Sequence, residues 1–424
     1  MTENKISLKK SIFYNSMGTF CYLFFQWLIT FIIVWISGYD DAGKFSITMS
    51  IASTFYAVSG FGMRNFQASD VRNEYSEKSY LSSRIITCLL ALVGTLIYSL
   101  TLGYDWYLIL CINTYMIFKT SEAIVDVLHG SMQKKWLYKE IGISFLIRGF
   151  LSIIVFSITL LVSKSLLLAI ILMAISVYFE IYFYDIKNYK INFKKIGRTT
   201  KQEIVKLLIV CIPFATVTFL TNYLVTFPRI QVKAMLGNEI LGIYTTFANP
   251  ALIIQVAASF VFTPLITLFA NLYKEENTKE FYKTLFKTIL VTLFVGVVGY
   301  VVAKLLGKYV MGILFGKEIV PYSYLLCEVI IVSTLTALSW LFTSIITVFR
   351  KQWVLIVGSV SSLLVMLLFA KKIIKKNHLS GVNILLMICY LIMIILYFLF
   401  TVYFLNKKEK GKNFKRSNNN GRKN

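Results

Sequence analysis

Charge is scarce in this 424-residue sequence: 15% of its residues are charged and 57% are hydrophobic, with a mean hydropathy of +0.70. That balance excludes a water-soluble chain, in which charged residues ordinarily make up about a quarter. Histidine is rarer still. The only two, His129 and His378, stand alone at the ends of apolar runs and read as solvated residues, which leaves no histidine pair for catalysis or metal binding. The six cysteines, Cys21, Cys88, Cys111, Cys211, Cys327 and Cys389, lie in or beside apolar runs without metal-ligand spacing, so they carry no metal or redox signal. Long polar segments are also missing. The largest, 64–83 and 187–206, are too short for a soluble catalytic domain. The two glycines of GFGMRN (60–65) close an apolar run and suit tight helix packing better than a phosphate loop. No cofactor is expected, and these absences point away from an enzyme.

Apolar runs of about 20 residues or more are what the sequence does have, and they lack the alternation of an outer-membrane barrel. They are helices that satisfy their own backbone in lipid. Twelve are expected, near 12–36, 44–63, 82–102, 106–128, 141–163, 165–186, 211–236, 241–270, 285–306, 322–348, 353–371 and 381–405, with 307–321 partly interfacial. With a cytoplasmic N terminus, about 31 of the 44 Lys and Arg fall in inside segments, so both termini are expected in the cytoplasm. KKIIKK (371–376) is the exception, since it would face outward. The net charge of +24 lies in short loops and in the tail KKEKGKNFKRSNNNGRKN. It reads as a topology signal and a membrane-surface segment, with no nucleic acid as partner.

An internal repeat organises the chain. GYDDAGKF (38–45) matches GNEILGIY (237–244), with Gly38, Gly43 and Phe45 falling on Gly237, Gly242 and Tyr244 at one constant offset of 199, and with Asp40 or Glu239 before each second glycine. The match follows the first and the seventh span, so the expected fold is an all-α membrane protein. About twelve transmembrane helices form two six-helix pseudo-symmetric halves around a central cavity, related by an axis along the membrane normal. The expected divisions are 1–195, 196–405 and a disordered basic cytoplasmic tail, 406–424.

The offset gives TFPRIQVK (226–233) a place. It becomes the outer half of the seventh helix, bent at Pro228, with Arg229 roughly 12 Å from the outer end and Lys233 one turn beyond on the same face. The alternative is that Pro228 ends the helix and both cations snorkel to the surface. Deep burial of an arginine or lysine costs about 2.5–3.5 kcal/mol on insertion scales, so it calls for a partner or a wet cavity.

A second polar group lies in the inner half of the first six helices. Lys119, Glu122 and Asp126 share one face of the fourth span, and Arg148 on the fifth is placed to pair with Glu122 or Asp126. They form either a structural salt-bridge cluster or the lining of a central cavity that draws an anionic head group. Glu180, Asp185 and Glu328 are weaker candidates, read mainly as interfacial or pairing residues.

FPRIQVKAMLGNEILGIYTTFANP resembles the seventh and eighth helices of polysaccharide repeat-unit flippases, the O-antigen and capsule exporters of the multidrug/oligosaccharidyl-lipid/polysaccharide (MOP) superfamily. SGYDDAGKFSITMS followed by GFGMRNFQASD is similar to their first and second helices. The resemblance implies translocation of an undecaprenyl-diphosphate-linked oligosaccharide across a bacterial inner membrane by alternating access, driven by protons, by sodium or by the substrate gradient. It places Arg229 in a cationic cavity and matches Arg64 to a basic residue closing helix two. Lys119, Glu122 and Arg148 rest on depth and spacing alone. Two rivals remain: a drug or cation antiporter of the same superfamily, for which the first span lacks a carboxylate, and a membrane polysaccharide polymerase, for which no outer loop is long enough.

Overall fold

The computed structural model describes residues 8–70, 74–189, 199–249, 265–266 and 268–420, and among these there is no strand. The helices are α1 (Leu8–Gly60), a short α2 (Met63–Ser69), α3 (Glu77–Thr101), α4 (Trp106–Lys134), α5 (Tyr138–Ser163) and α6 (Leu166–Glu180). The last of these runs through a π-helical turn, Ile181–Asp185, into α7 (Ile186–Tyr189). There follow α8 (Lys201–Ala248), α9 (Thr278–Phe315), α10 (Tyr324–Val348) and α11 (Gln352–Asn420).

Among the described residues, nine helical stretches are long and apolar enough to cross a membrane. Three are too long to cross it once. The 53 residues of α1 would span roughly 80 Å as one rod, against a hydrocarbon core of about 30 Å. Each of the three contains a single residue with non-helical backbone where the chain reverses: Gly38 (φ 83°, ψ −175°) in α1, Gly237 (φ 90°, ψ 174°) in α8 and His378 (φ 49°, ψ −128°) in α11. Division at these residues accounts for eleven of the expected spans, and the remaining one, 241–270, lies mostly outside the described residues. Pro228 sits within α8, and the backbone leaves helical geometry at Gly237 instead of at the proline. The segment 226–233 is therefore helix, not loop.

Gly38 and Gly237 occupy a region of backbone space that side chains with a Cβ essentially do not enter. That explains why the repeat preserves them. The second glycines of the repeat answer a different demand. A Cβ on Gly43 would lie 1.9 Å from the Asn238 carbonyl oxygen, and one on Gly242 would lie 2.0 Å from that of Tyr39. Asn238 is the counterpart of Tyr39, so each half presses its glycine against the matching backbone of the other. A local twofold relation between the two turns follows.

Packing divides the chain into two compact units, Met1–Thr246 and Phe247–Asn424. The first six spans and the seventh lie in the first unit. Side-chain caps start several helices: Asp105 accepts from the Leu108 amide at 3.2 Å at the head of α4, and Ser165 and Asn277 do the same for α6 and α9. In the second unit, α9 exposes Leu290, Phe294, Val297, Leu305 and Ile313, an apolar face suited to lipid. Within α11, Ser362 donates to the Cys389 carbonyl at 2.8 Å across the His378 reversal. The basic tail continues the same helix to Asn420.

Gly237→Ala is expected to lose about 1–3 kcal/mol from backbone strain alone, and Gly242→Ala a similar amount from overlap with Tyr39. Thermal unfolding in detergent checks both. Gly299→Ala, where the nearest atom to the new Cβ is 3.4 Å away, should leave the transition nearly unchanged.

Candidate functional site

Helix α4 sets out the first group of charges. Lys119, Glu122, Asp126 and His129 recur at helical spacing and face α1, α3 and α5. Lys119 Nζ lies 2.8 Å from Glu122 Oε2 and about equally far from the rings of Tyr56 and Tyr115, at 5.7 and 5.8 Å. The hydroxyl of Tyr22 donates to the other oxygen of Glu122. Asp126 is shared by two arginines, Arg64 and Arg84, each at 3.3 Å.

Arg148 does not reach Glu122 or Asp126. Its guanidinium pairs with Glu180 at 3.4 Å, both side chains almost fully buried, and it also donates to Ser121. The reason is helix order: α6 covers the buried face of α5, and Glu180 ends α6 opposite Arg148. The π-helical turn that follows carries Asp185 inward to within 3.5 Å of His129 Nε2. His129, expected to be solvated, is wholly buried and shares a 3.1 Å hydrogen bond with Ser144. Polar side chains from α5 and from the end of α6 replace the water that a helix end would otherwise offer.

These residues border a cavity of about 180 Å³ lined by Tyr22, Tyr56, Arg64, Glu122, Asp126 and Arg148 among others. A second opening of about 480 Å³ shares Tyr56, Arg64 and Asp126 with it. Charge within the group balances, with Arg64, Arg84, Lys119 and Arg148 facing Glu122, Asp126, Glu180 and Asp185. Arg64 is the most exposed of the four cations.

Arg229 is held differently. It lies eight residues before the Gly237 reversal, is 7% exposed, and donates from Nη1 to the Ser50 hydroxyl at 2.9 Å. No carboxylate lies within ion-pair distance among the described residues, and its Nε–H has no hydrogen-bond partner there. Lys233, one turn on, is half-buried with its ammonium 4.6 Å from the centre of the Tyr104 ring. Among the described residues Arg229 thus has no acidic partner, while Lys233 reaches an aromatic face. Glu328 belongs to the second unit and accepts from Ser380 at 2.7 Å and from Asn383 at 2.8 Å.

Two kinds of residue escaped the sequence reading. Arg84, at the start of the expected third span and absent from the candidates above, is 1% exposed and holds both the Ser59 carbonyl and Asp126. Its position two residues into an apolar run was the available signal. Ser50, Thr54 and Thr226 gave none, because hydroxyls are frequent along membrane helices.

The fold compares closely with solved transporters. An inward-facing multidrug resistance MATE family transporter of the MOP superfamily matches with a TM-score of 0.68 at 14% identity, over 94% of this chain and 99% of that one. The outward-facing conformation of such a transporter gives 0.61 at 14% identity, over 96% and 98%. This chain shares the fold of those transporters. A transporter of that superfamily from Pyrococcus furiosus, noted for a binding pocket of reversed polarity, gives 0.63 at 13% identity, over 95% and 97%. In sequence, the chain is 26% identical over 309 residues to the capsular polysaccharide biosynthesis protein CapF of Staphylococcus aureus, covering 72% of this chain and 75% of that protein. No family model matches it.

Removing one member of a buried pair strands the other. Glu180→Ala should cost about 3–5 kcal/mol by leaving Arg148 uncompensated, whereas replacing both by methionine should recover most of that loss. Thermal unfolding of the single and double variants checks the difference.

Proposed function

We propose that the chain is a flippase for lipid-linked oligosaccharides, carrying undecaprenyl-diphosphate-linked repeat units for surface polysaccharide across a bacterial inner membrane, with both termini cytoplasmic. Arg229 carries this reading. A guanidinium held inside a membrane helix without a carboxylate is costly unless a ligand supplies the negative charge. A diphosphate linked to a polyprenyl chain supplies it, and arginine can meet phosphate oxygens in pairs. Lys233 would add a second positive charge one turn away. Arg64, the most exposed cation of the balanced group, would be the next contact if released from Asp126, with Lys119 and Arg148 behind it.

The MOP-superfamily fold, known in inward- and outward-facing forms, supports alternating access. The likeness to a capsular polysaccharide biosynthesis protein supports the substrate class. A driving proton or sodium ion would bind at carboxylates, and Glu122 and Asp126, with Glu328 in the second unit, are the ones placed for it. The transporter fold also favours a carrier over a polymerase.

A second reading, a drug or cation antiporter, draws on one observation: Glu122 and Asp126 border a cavity. One comparison separates the two. If a flippase is correct, Arg229→Ala lowers surface polysaccharide by on the order of tenfold or more at unchanged membrane insertion, the loss of a hydrogen-bonded charge contact, and Arg229→Lys keeps part of the export. Normal export from Arg229→Ala, together with drug sensitivity on replacing Glu122 or Asp126, would favour the antiporter.

A further inference from the structure

The second span, which is α1 after Gly38, is joined to α8 by a ladder of buried polar contacts, to the seventh span at Asn222, Thr226 and Arg229 and, beyond the Gly237 reversal, to Thr245. Thr245 donates to Ser46 at 2.6 Å. Arg229 donates to the Ser50 hydroxyl at 2.9 Å, and Thr226 to the Ser50 carbonyl at 3.0 Å. Thr54 and Thr226 share a hydrogen bond of 2.9 Å, and Asn222 donates to the Ser53 carbonyl at 2.8 Å. The rungs climb α1 at Ser46, Ser50 and Thr54, about one turn apart, so they close one continuous seam. Ser46 and Thr245 are themselves repeat counterparts, which puts the top rung beside the local twofold relation of Gly43 and Gly242.

Within this seam Arg229 is the single charged residue, and it is poorly served. A neutral hydroxyl is a weaker partner for a guanidinium than an anionic oxygen. Arg229 offers Ser50 one N–H while its Nε–H, nine-tenths buried with the rest of the side chain, meets no acceptor among the described residues. The seam is held shut at this rung by the partner that an anion most readily displaces.

We propose that the Arg229–Ser50 contact is a latch released by a diphosphate: when the head group takes the guanidinium, the seam between α1 and α8 parts. Binding of the anion and opening of this side are then one event. The proposal rests on the flippase reading for its ligand and adds to it a gate on the side that the sequence reading places outside. By linkage, whatever weakens the latch strengthens diphosphate binding, because less must be undone to bind.

The test uses the full chain with its six native cysteines replaced and Ser46→Cys paired with Thr245→Cys, reconstituted in lipid nanodiscs. The rate of disulfide formation under mild oxidation reports the closed seam. Farnesyl diphosphate is expected to slow it on the order of fivefold or more, within ordinary coupling between sites, and farnesol is expected to leave it unchanged. Slowing by inorganic pyrophosphate as well would assign the trigger to the head group alone. Slowing by the lipid only would assign it to a diphosphate presented from the bilayer. Arg229→Gln should abolish the response, and Ser50→Ala should slow the reaction before any ligand is added while tightening farnesyl diphosphate binding, read by intrinsic tryptophan fluorescence. Binding without any change in crosslinking would overturn the latch and leave the flippase reading standing. Absence of binding would overturn both.

Discussion

A charge inside hydrocarbon must be neutralised or reach water, and the interior of the first unit is arranged around that requirement. Asp126 serves two arginines, Glu180 meets Arg148, and Glu122 meets Lys119 with a tyrosine hydroxyl at its other oxygen. Isolated, each of these groups would be expensive, and together they draw on the first, third, fourth, fifth and sixth spans and on α2. The price of so dense a network is rigidity, which suits a body that moves as a whole more than a site that reshapes itself. Against this background the arginine of α8 is conspicuous, because among the described residues a serine hydroxyl stands where the other cations have a carboxylate.

Helix geometry supports the same division of labour. The three reversals at Gly38, Gly237 and His378 use one residue each, so few backbone groups are left without partners where chain direction changes. The two glycine reversals belong to the unit that holds the charges. There, spans approach closely enough that glycine alone fits at positions 43 and 242. Close backbone contact at one end of the seam and hydroxyl rungs along it make an interface of weak contacts in which Arg229 brings the one formal charge.

Features governed by one position and its near neighbours were legible in the sequence. Gly38 and Gly237 could be matched because their backbone angles admit nothing else, and the place of Arg229 in a helix, eight residues before Gly237, followed from counting along the chain. Features governed by distant partners were not. Arg148 was paired with the acids of the preceding span, on α4, but its partner closes α6. His129 looked like a helix end because Gln133, Lys134 and Lys135 follow it closely, whereas Ser144 and Asp185, which enclose it, arrive from other elements. Arg84 stood at the edge of an apolar run, where a loop assignment and a buried one look alike. The balance of the inner charges emerged only when Glu180 and Asp185 were placed beside Arg148 and His129.

The reciprocal contact of the two repeat turns bears on how such a chain diverges. In a chain grown from duplicated halves, most positions drift independently once the copies are fused. Gly43 and Gly242 cannot, since each forms the wall against which the opposite copy of the turn rests. A larger residue in one copy demands a backbone shift in the other, so paired loss is the only tolerated loss. The surviving trace of duplication is therefore expected to concentrate where the copies touch, which is where three matched residues remain and the rest of the two halves has become nearly unrecognisable as kin.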